Sequence, residues 1–327
     1  MKMIHRIYPV QDTIHGQSIV IHAYTFQSEL PGPSVYIQAN LHGSEILGTV
    51  LLSQCIHLLQ SFDSFSGKIT IVPCANPLAV GDSEYNGIAG RWSVLNGVNW
   101  NRIFSKYEKC EDSYAQQRYF RENIFSAVSV EEKLAHTLQS ISWGHKYVVD
   151  VHTTGAQSVS HLFTHKEASM IFAGLDAHTH IIWDSDDFYG AFDESQRISQ
   201  GADVYACTWE VGPHNTTDST LVSERLHTLT QWMHSLWDRT IAVTPPFTVP
   251  IIDAFHVCAP YAGYYVWRKQ PGEIIVDGEV YADVYQPWNT TVLEARLSEQ
   301  SVLLGIYGVY AISSGEQIGF AVRTPAS

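Results

Sequence analysis

Short apolar runs alternate with stretches of helical period up to a helix over 219–238. SIVIHAYTF (18–26) and PSVYIQAN (33–40) read as strands around a Pro-Gly-Pro turn, and residues 46–60 place their apolar positions at helical spacing. A strand follows at 68–75 and ends at Asn76-Pro77. A long polar, Gly-rich segment then runs from Gly81 to Arg102, and Ile88, Trp92, Val98 and Trp100 supply apolar anchors that argue for an ordered, functional loop. Residues 114–142 read as mostly helical. Further strands are expected at 147–152, 161–164, 179–183 and 205–211. This alternation predicts an α/β fold with a mixed, largely parallel sheet covered by helices on both faces.

The texture changes at VTPPFTVP (243–250), where proline cannot continue a helix. Residues 255–325 are short β-type runs separated by Gly-containing turns, which predicts a small C-terminal all-β domain. The expected organisation is therefore residues 1–245 as a catalytic domain and 246–327 as a β-rich one.

With 327 residues and 45% apolar content the chain has enough material for a sizeable core. Its 19 Lys+Arg against 33 Asp+Glu give a net charge of −14, which leaves no broad basic surface for nucleic acid or an anionic membrane. An anionic substrate would have to be gripped by particular arginines. Five scattered cysteines without paired metal-type spacing, and an N-terminal stretch lacking a signal peptide's apolar core, point to the cytoplasm. No apolar run is long enough to span a bilayer.

Chemistry concentrates where predicted strands end. His42 and Glu45 follow the strand ending at Asn40, and residues three apart in an opening helical turn can converge on one cation. Alone, this stretch fits a second reading equally well, with Ser44 capping the helix and Glu45 favouring its positive end. His152 closes another strand and completes a two-histidine, one-carboxylate set, a zinc composition that leaves a position open for water, although other divalent metals accept it too. Asp150 points to the same face as His152, where it either orients a ligand imidazole or is an ordinary strand-end aspartate. Glu210 ends a further strand between Trp209 and Val211, where desolvation would raise its pKa towards general-base duty; the alternative is a surface glutamate near a Gly-Pro turn. The pairs His161/His165 and His178/His180 find no carboxylate at a matching strand end, and Asp184, Asp186 and Asp187 read as a solvated loop.

In order along the chain stand His42-Gly-Ser-Glu45, Asn76-Pro77, Arg91, Asn99-Trp-Asn101-Arg102, Asp150-Val-His152-Thr-Thr and Trp209-Glu210-Val-Gly-Pro213. This series resembles the succinylglutamate desuccinylase and aspartoacylase family, relatives of the zinc carboxypeptidases. The resemblance implies one zinc per chain on His42, Glu45 and His152, with Glu210 activating water and Arg91 polarising the scissile carbonyl or holding substrate. It implies that Asn101 and Arg102 contact substrate carboxylates, with Arg197 the nearest counterpart of a further substrate arginine. The chain departs from the family pattern at Ser44, usually Asn, and at Asn99-Trp100, usually Asp-Leu, so that Trp100 is a candidate for reshaping the pocket. The implied activity is zinc-dependent removal of an acyl group from an N-acyl amino acid or similar small amide. A metallocarboxypeptidase and a non-catalytic zinc- or ligand-binding protein are the alternatives, and homo-oligomerisation stays open.

Overall fold

The computed structural model describes residues 1–324 other than 63, 64, 82, 85, 86, 89, 176–178, 186, 202, 215, 217, 239–246 and 309–311, and no side chain of 82–89. His178, Asp186, the start of the proline-rich connection and the Ile88 side chain therefore lie outside the described residues.

A nine-stranded sheet forms the centre. Its strands are β1 (Lys2–Asp12), β2 (Ser18–Gln27), β3 (Ser34–Ala39), β4 (Lys68–Val72), β5 (Tyr147–His152), β6 (His161–His165), β7 (Thr179–Trp183), β8 (Tyr205–Glu210) and β9 (Phe247–Pro250), in spatial order β1-β2-β4-β3-β5-β8-β6-β7-β9. From β4 through β3 and β5 to β8 the strands run parallel, whereas β6 runs antiparallel to β8. The central three are covered on both sides, which accounts for their near-continuous apolar sequences. The expected α/β architecture is thus the observed one.

Helices α1 (Ile46–Gln60) and α5 (Ser219–Trp237) bury Leu47, Leu51, Leu229 and Trp232 against Ile37, Val149 and Trp209 on one face. On the other face, α3 (Val130–Ser142) and α4 (Phe192–Gln200) set Leu134, Leu138 and Phe192 against Tyr36, Val148 and Ala206. The helical stretch expected over 114–142 divides into α2 (Ser113–Ser126) and α3, because Ser129 accepts the Glu132 N–H and starts a new helix.

Two elements carry no pattern that announces them. Strand β1 is an edge strand, exposed along most of its length, with Val10 alone fully buried. Helix α4 buries polar residues instead of an apolar stripe: Gln196 Oε1 accepts from Ser142 Oγ at 2.9 Å and from Tyr107 Oη at 3.1 Å. Trp100 is also buried among the residues of that face, where it packs in the core.

Beyond residue 250 the described elements are strands apart from the single turn Ile251–Asp253, as the change in texture predicts. Ala254–Cys258, Gln317–Arg323, Ser301–Ile306 and Ile274–Ile275 form one antiparallel sheet, and Tyr264–Trp267, Val280–Tyr285 and Leu293–Arg296 form another. Gln157–Ser158, just after β5, adds itself to Ser301–Ile306, and Leu304 and Phe320 pack with Ile181 and Val249. Gly155, at φ +62°, makes the approach feasible, since a Cβ there would lie 2.4 Å from the Ile306 carbonyl oxygen. The β-rich part is thereby hydrogen-bonded to the loop that leaves His152. Among the described residues no helix is long and apolar enough to cross a membrane.

Candidate metal centre

The turn after β3 is built before its chemistry. Asn40 takes φ 60°, the sole positive φ among described non-glycine residues, and its amide donates to the carbonyls of His42 at 2.8 Å and Gly43 at 3.1 Å. Asn76 braces the turn from β4 by donating to the Leu41 carbonyl at 3.0 Å. Gly43 is required, because a Cβ there would stand 2.1 Å from the Ala79 carbonyl oxygen. Helix α1 then begins with Glu45 as its N-terminal boundary residue and no side-chain cap. The Ser44 capping reading therefore fails, and the Glu45 carboxylate is free for other work.

That carboxylate lies between two imidazoles. His42 Nδ1 is 2.8 Å from Glu45 Oε1, and His152 Nδ1 is 2.8 Å from Oε2. All three side chains are buried, and a ligand atom from each falls within 4.8 Å of the others. The outward ring nitrogens are also held: His42 Nε2 meets Asn99 Oδ1 at 2.9 Å, and His152 Nε2 meets Asp150 Oδ2 at 2.9 Å. Behind Asp150, Gln38 donates to Oδ1 at 3.0 Å and is itself oriented by the Tyr36 hydroxyl at 2.8 Å. Two imidazoles and a carboxylate converging through oriented atoms are a donor set for one divalent metal ion.

The electrostatics agree. Burial alone would raise the Glu45 carboxyl, but the two imidazoles outweigh it and hold the pKa well below the ordinary carboxylate value. Burial would lower His152, yet Asp150 and Glu45 push it well above the usual imidazole value. Without a metal, protons supply the positive charge that this buried pair of carboxylates demands.

Glu210 ends β8 directly beside His152 in the parallel register. Its Oε2 is buried with no hydrogen-bond partner. Burial pushes its carboxyl up to about 7, with the His152 charge opposing the rise and the Glu45 charge adding to it. Arg91, 53% exposed, reaches to 3.9 Å from Glu45 Oε1. From the β-rich part comes Tyr307, bonded to His256 Nδ1 at 2.8 Å; burial raises its phenol to about 12, with Arg91 opposing and Glu210 adding.

The remaining expected residues are placed differently. Asn101 is buried and its Oδ1 accepts the Phe192 N–H at 3.0 Å, which ties the loop to α4. Arg102 is exposed and donates to the Asn101 carbonyl at 2.5 Å. Arg197 is not brought to the group at all: it lines a cleft with His165, Tyr205 and Ala206, at the opening end of β8, while Glu210 stands at the closing end. Two further side chains carry no motif and are brought near the group by the fold: Gln38, bonded to Asp150, and His214, whose Nδ1 lies 2.6 Å from Thr153 Oγ1; Asn99, at His42 Nε2, sits within the Asn-x-Asn-Arg run.

Residues 31–236 match the succinylglutamate desuccinylase/aspartoacylase catalytic domain model. The chain belongs to that family. No curated protein sequence matches it. Among solved structures, family proteins from Shewanella amazonensis and Shewanella frigidimarina are each 22% identical, with TM-scores of 0.84 and 0.87. The alignments cover 98% of this chain and 99% of the first, and 99% of this chain and 98% of the second. The product-bound ectoine utilization protein EutE (DoeB) from Ruegeria pomeroyi is 17% identical at a TM-score of 0.73, over 98% of this chain and 94% of its own. At such identities these likenesses speak for the fold, shared from end to end and including the β-rich part. Membership in the succinylglutamate desuccinylase/aspartoacylase family places the buried His-Glu-His group in a fold of metal-dependent deacylases.

Proposed function

We propose that the protein is a zinc-dependent amidohydrolase that removes the acyl group from an N-acyl amino acid or a similar small amide. The observation that carries this reading is the Glu45 carboxylate set between two Nδ1 atoms, with an unpartnered, buried Glu210 oxygen beside them. His42, Glu45 and His152 hold one zinc ion, which when bound supplies a Lewis acid for the amide carbonyl and for water. Glu210 takes a proton from the attacking water through its free oxygen and hands it to the leaving amine. A carboxyl poised near neutrality is suited to both transfers. Arg91 presents its guanidinium to the oxygen on which charge develops, and its exposure leaves it free to swing towards substrate. Arg102 meets the substrate carboxylate by presenting an exposed planar fork in an otherwise acidic protein, and Asn101, bonded to the Phe192 N–H, holds that loop in place.

The test is a hydrolysis screen of the zinc-loaded protein against N-acetyl, N-succinyl and N-formyl amino acids alongside dipeptides with free C-termini. Amine release from the acylated amino acids alone is expected. Preferential cleavage of the dipeptides would make the protein a carboxypeptidase, and silence on all of them would favour a binding protein.

A further inference from the structure

The two imidazoles have unequal backing. His152 Nε2 meets Asp150, a wholly buried carboxylate anchored by Gln38 and Tyr36. His42 Nε2 meets a neutral amide, Asn99, at 2.9 Å. The amide's orientation is determined by a second contact, since the Asn101 backbone N–H points at the same Oδ1 from 2.8 Å. An NH₂ group turned that way would face a donor. The oxygen must therefore face inward, His42 must carry its proton on Nε2, and its Nδ1 lone pair is left for a metal.

An anionic acceptor behind a ligand imidazole makes the ring a stronger donor and adds a negative charge near the cation; a neutral amide fixes the same tautomer but strengthens the ring less and adds no charge. The charge ledger shows the consequence. Glu45 and Asp150 already place two carboxylates in the buried group, and an aspartate at position 99 would make a third. Resting on the reading of His42, Glu45 and His152 as metal ligands, we infer that Asn99 is a positioning residue that sets how tightly the centre holds its metal, keeping the His42 arm the weaker of the two. Weaker donation from this arm leaves a bound cation more electrophilic, at the expense of affinity. The asymmetry also makes the His42 arm the first to release when metal is withdrawn.

The competing explanation is that Asn99 only starts the turn Trp100–Arg102, which its Oδ1 caps. Aspartate caps such a turn as well as asparagine does, so the two roles separate. The experiment is competition for Zn²⁺ between the full-length protein and a chromophoric chelator at fixed pH. It compares wild type, Asn99→Asp, Asn99→Ala and Asp150→Asn, with the melting temperature of each metal-free variant as a folding control. Asn99→Asp should bind zinc about tenfold more tightly with the metal-free melting temperature unchanged, and Asn99→Ala and Asp150→Asn should each bind roughly 10–100-fold more weakly. An Asn99→Asp affinity within twofold of wild type, in a protein whose zinc binding is abolished by His42→Ala, overturns the inference and leaves the metal centre standing. Zinc binding that survives His42→Ala unchanged overturns both. If Asn99→Asp does not fold, Asn99→Ser keeps a hydroxyl acceptor at the cap, and a wild-type affinity in it likewise overturns the inference.

Discussion

The two ends of the central sheet hold similar residues and do different things with them. At the closing ends of β3, β5 and β8, His42, Glu45, His152 and Glu210 converge. At the other end, Lys106, His165, Glu167, Arg197 and Tyr205 surround an open cleft of about 550 Å³. His152 and His165 both terminate strands, so strand-end position alone cannot separate them. Direction does. Strand β6 is antiparallel to β8, pairing His161 with Glu210 and Thr164 with Cys207, so its closing histidine emerges at the far edge. Buried charge differs as well. Glu45 and Asp150 are matched by imidazoles, whereas Asp193, which lines a small pocket beside Arg197, is pushed up to about 7 by burial, with Glu194 and Asp150 adding to the rise.

Substitutions sharpen this contrast. The largest effect belongs to Glu210→Gln, which keeps the shape and removes the proton acceptor; turnover should fall by at least ~10²-fold with zinc content unchanged. Loss of the metal together with activity would instead make Glu210 a ligand. Paired arginine variants come next. Arg91→Lys should depress kcat about tenfold with little change in KM, because oxyanion stabilisation belongs to the transition state. Arg197→Lys, at the far end, should change neither parameter by more than about twofold. An Arg197 effect equal to that of Arg91 would erase the distinction between the ends.

Stability against pH gives two finer tests. In the metal-free protein the folded-state pKa of His152 lies above its unfolded value of about 6.5, so the folded state binds the extra proton. This contribution is complete below that value and is lost as pH rises towards the folded pKa. The melting temperature of metal-free protein should therefore fall on the alkaline side, and saturating zinc should remove the decline by replacing the proton. Affinity for the metal should rise over the same interval. Asp193 titrates between about 4 when unfolded and about 7 when folded, so its contribution also declines as pH rises through that window. Asp193→Asn should stabilise the protein on the order of 1 kcal/mol at pH 8 and much less at pH 5. Equal effects at both pH values would mean that packing, not charge, governs the site.

The metal group was legible because its parts are local: His42 and Glu45 share one turn, and Asp150 and His152 share one face of a strand. The sheet's core was legible for a similar reason, since a strand covered on both faces must be apolar throughout. Strand β1 and helix α4 were not, because an exposed edge strand and a helix that buries Gln196, Asp193 and Glu194 break the link between burial and apolarity. Arg197 was assigned to the metal end by its distance along the chain from Glu210. Its place on α4, packed across the far half of β8, is a matter of topology that no spacing expresses. Trp100, next to the site residues in sequence, is buried in the core cluster of the α3/α4 face, a placement that spacing alone does not express.

The contrast between the two ends rests on where a metal binds. Metal analysis after dialysis against limiting zinc, comparing wild type, His42→Ala/His152→Ala and His165→Ala, tests it directly. One zinc per chain is predicted in wild type and in the His165 variant, with none retained by the His42/His152 variant. Stoichiometric zinc in the His42/His152 variant, with loss in the other, would contradict the account.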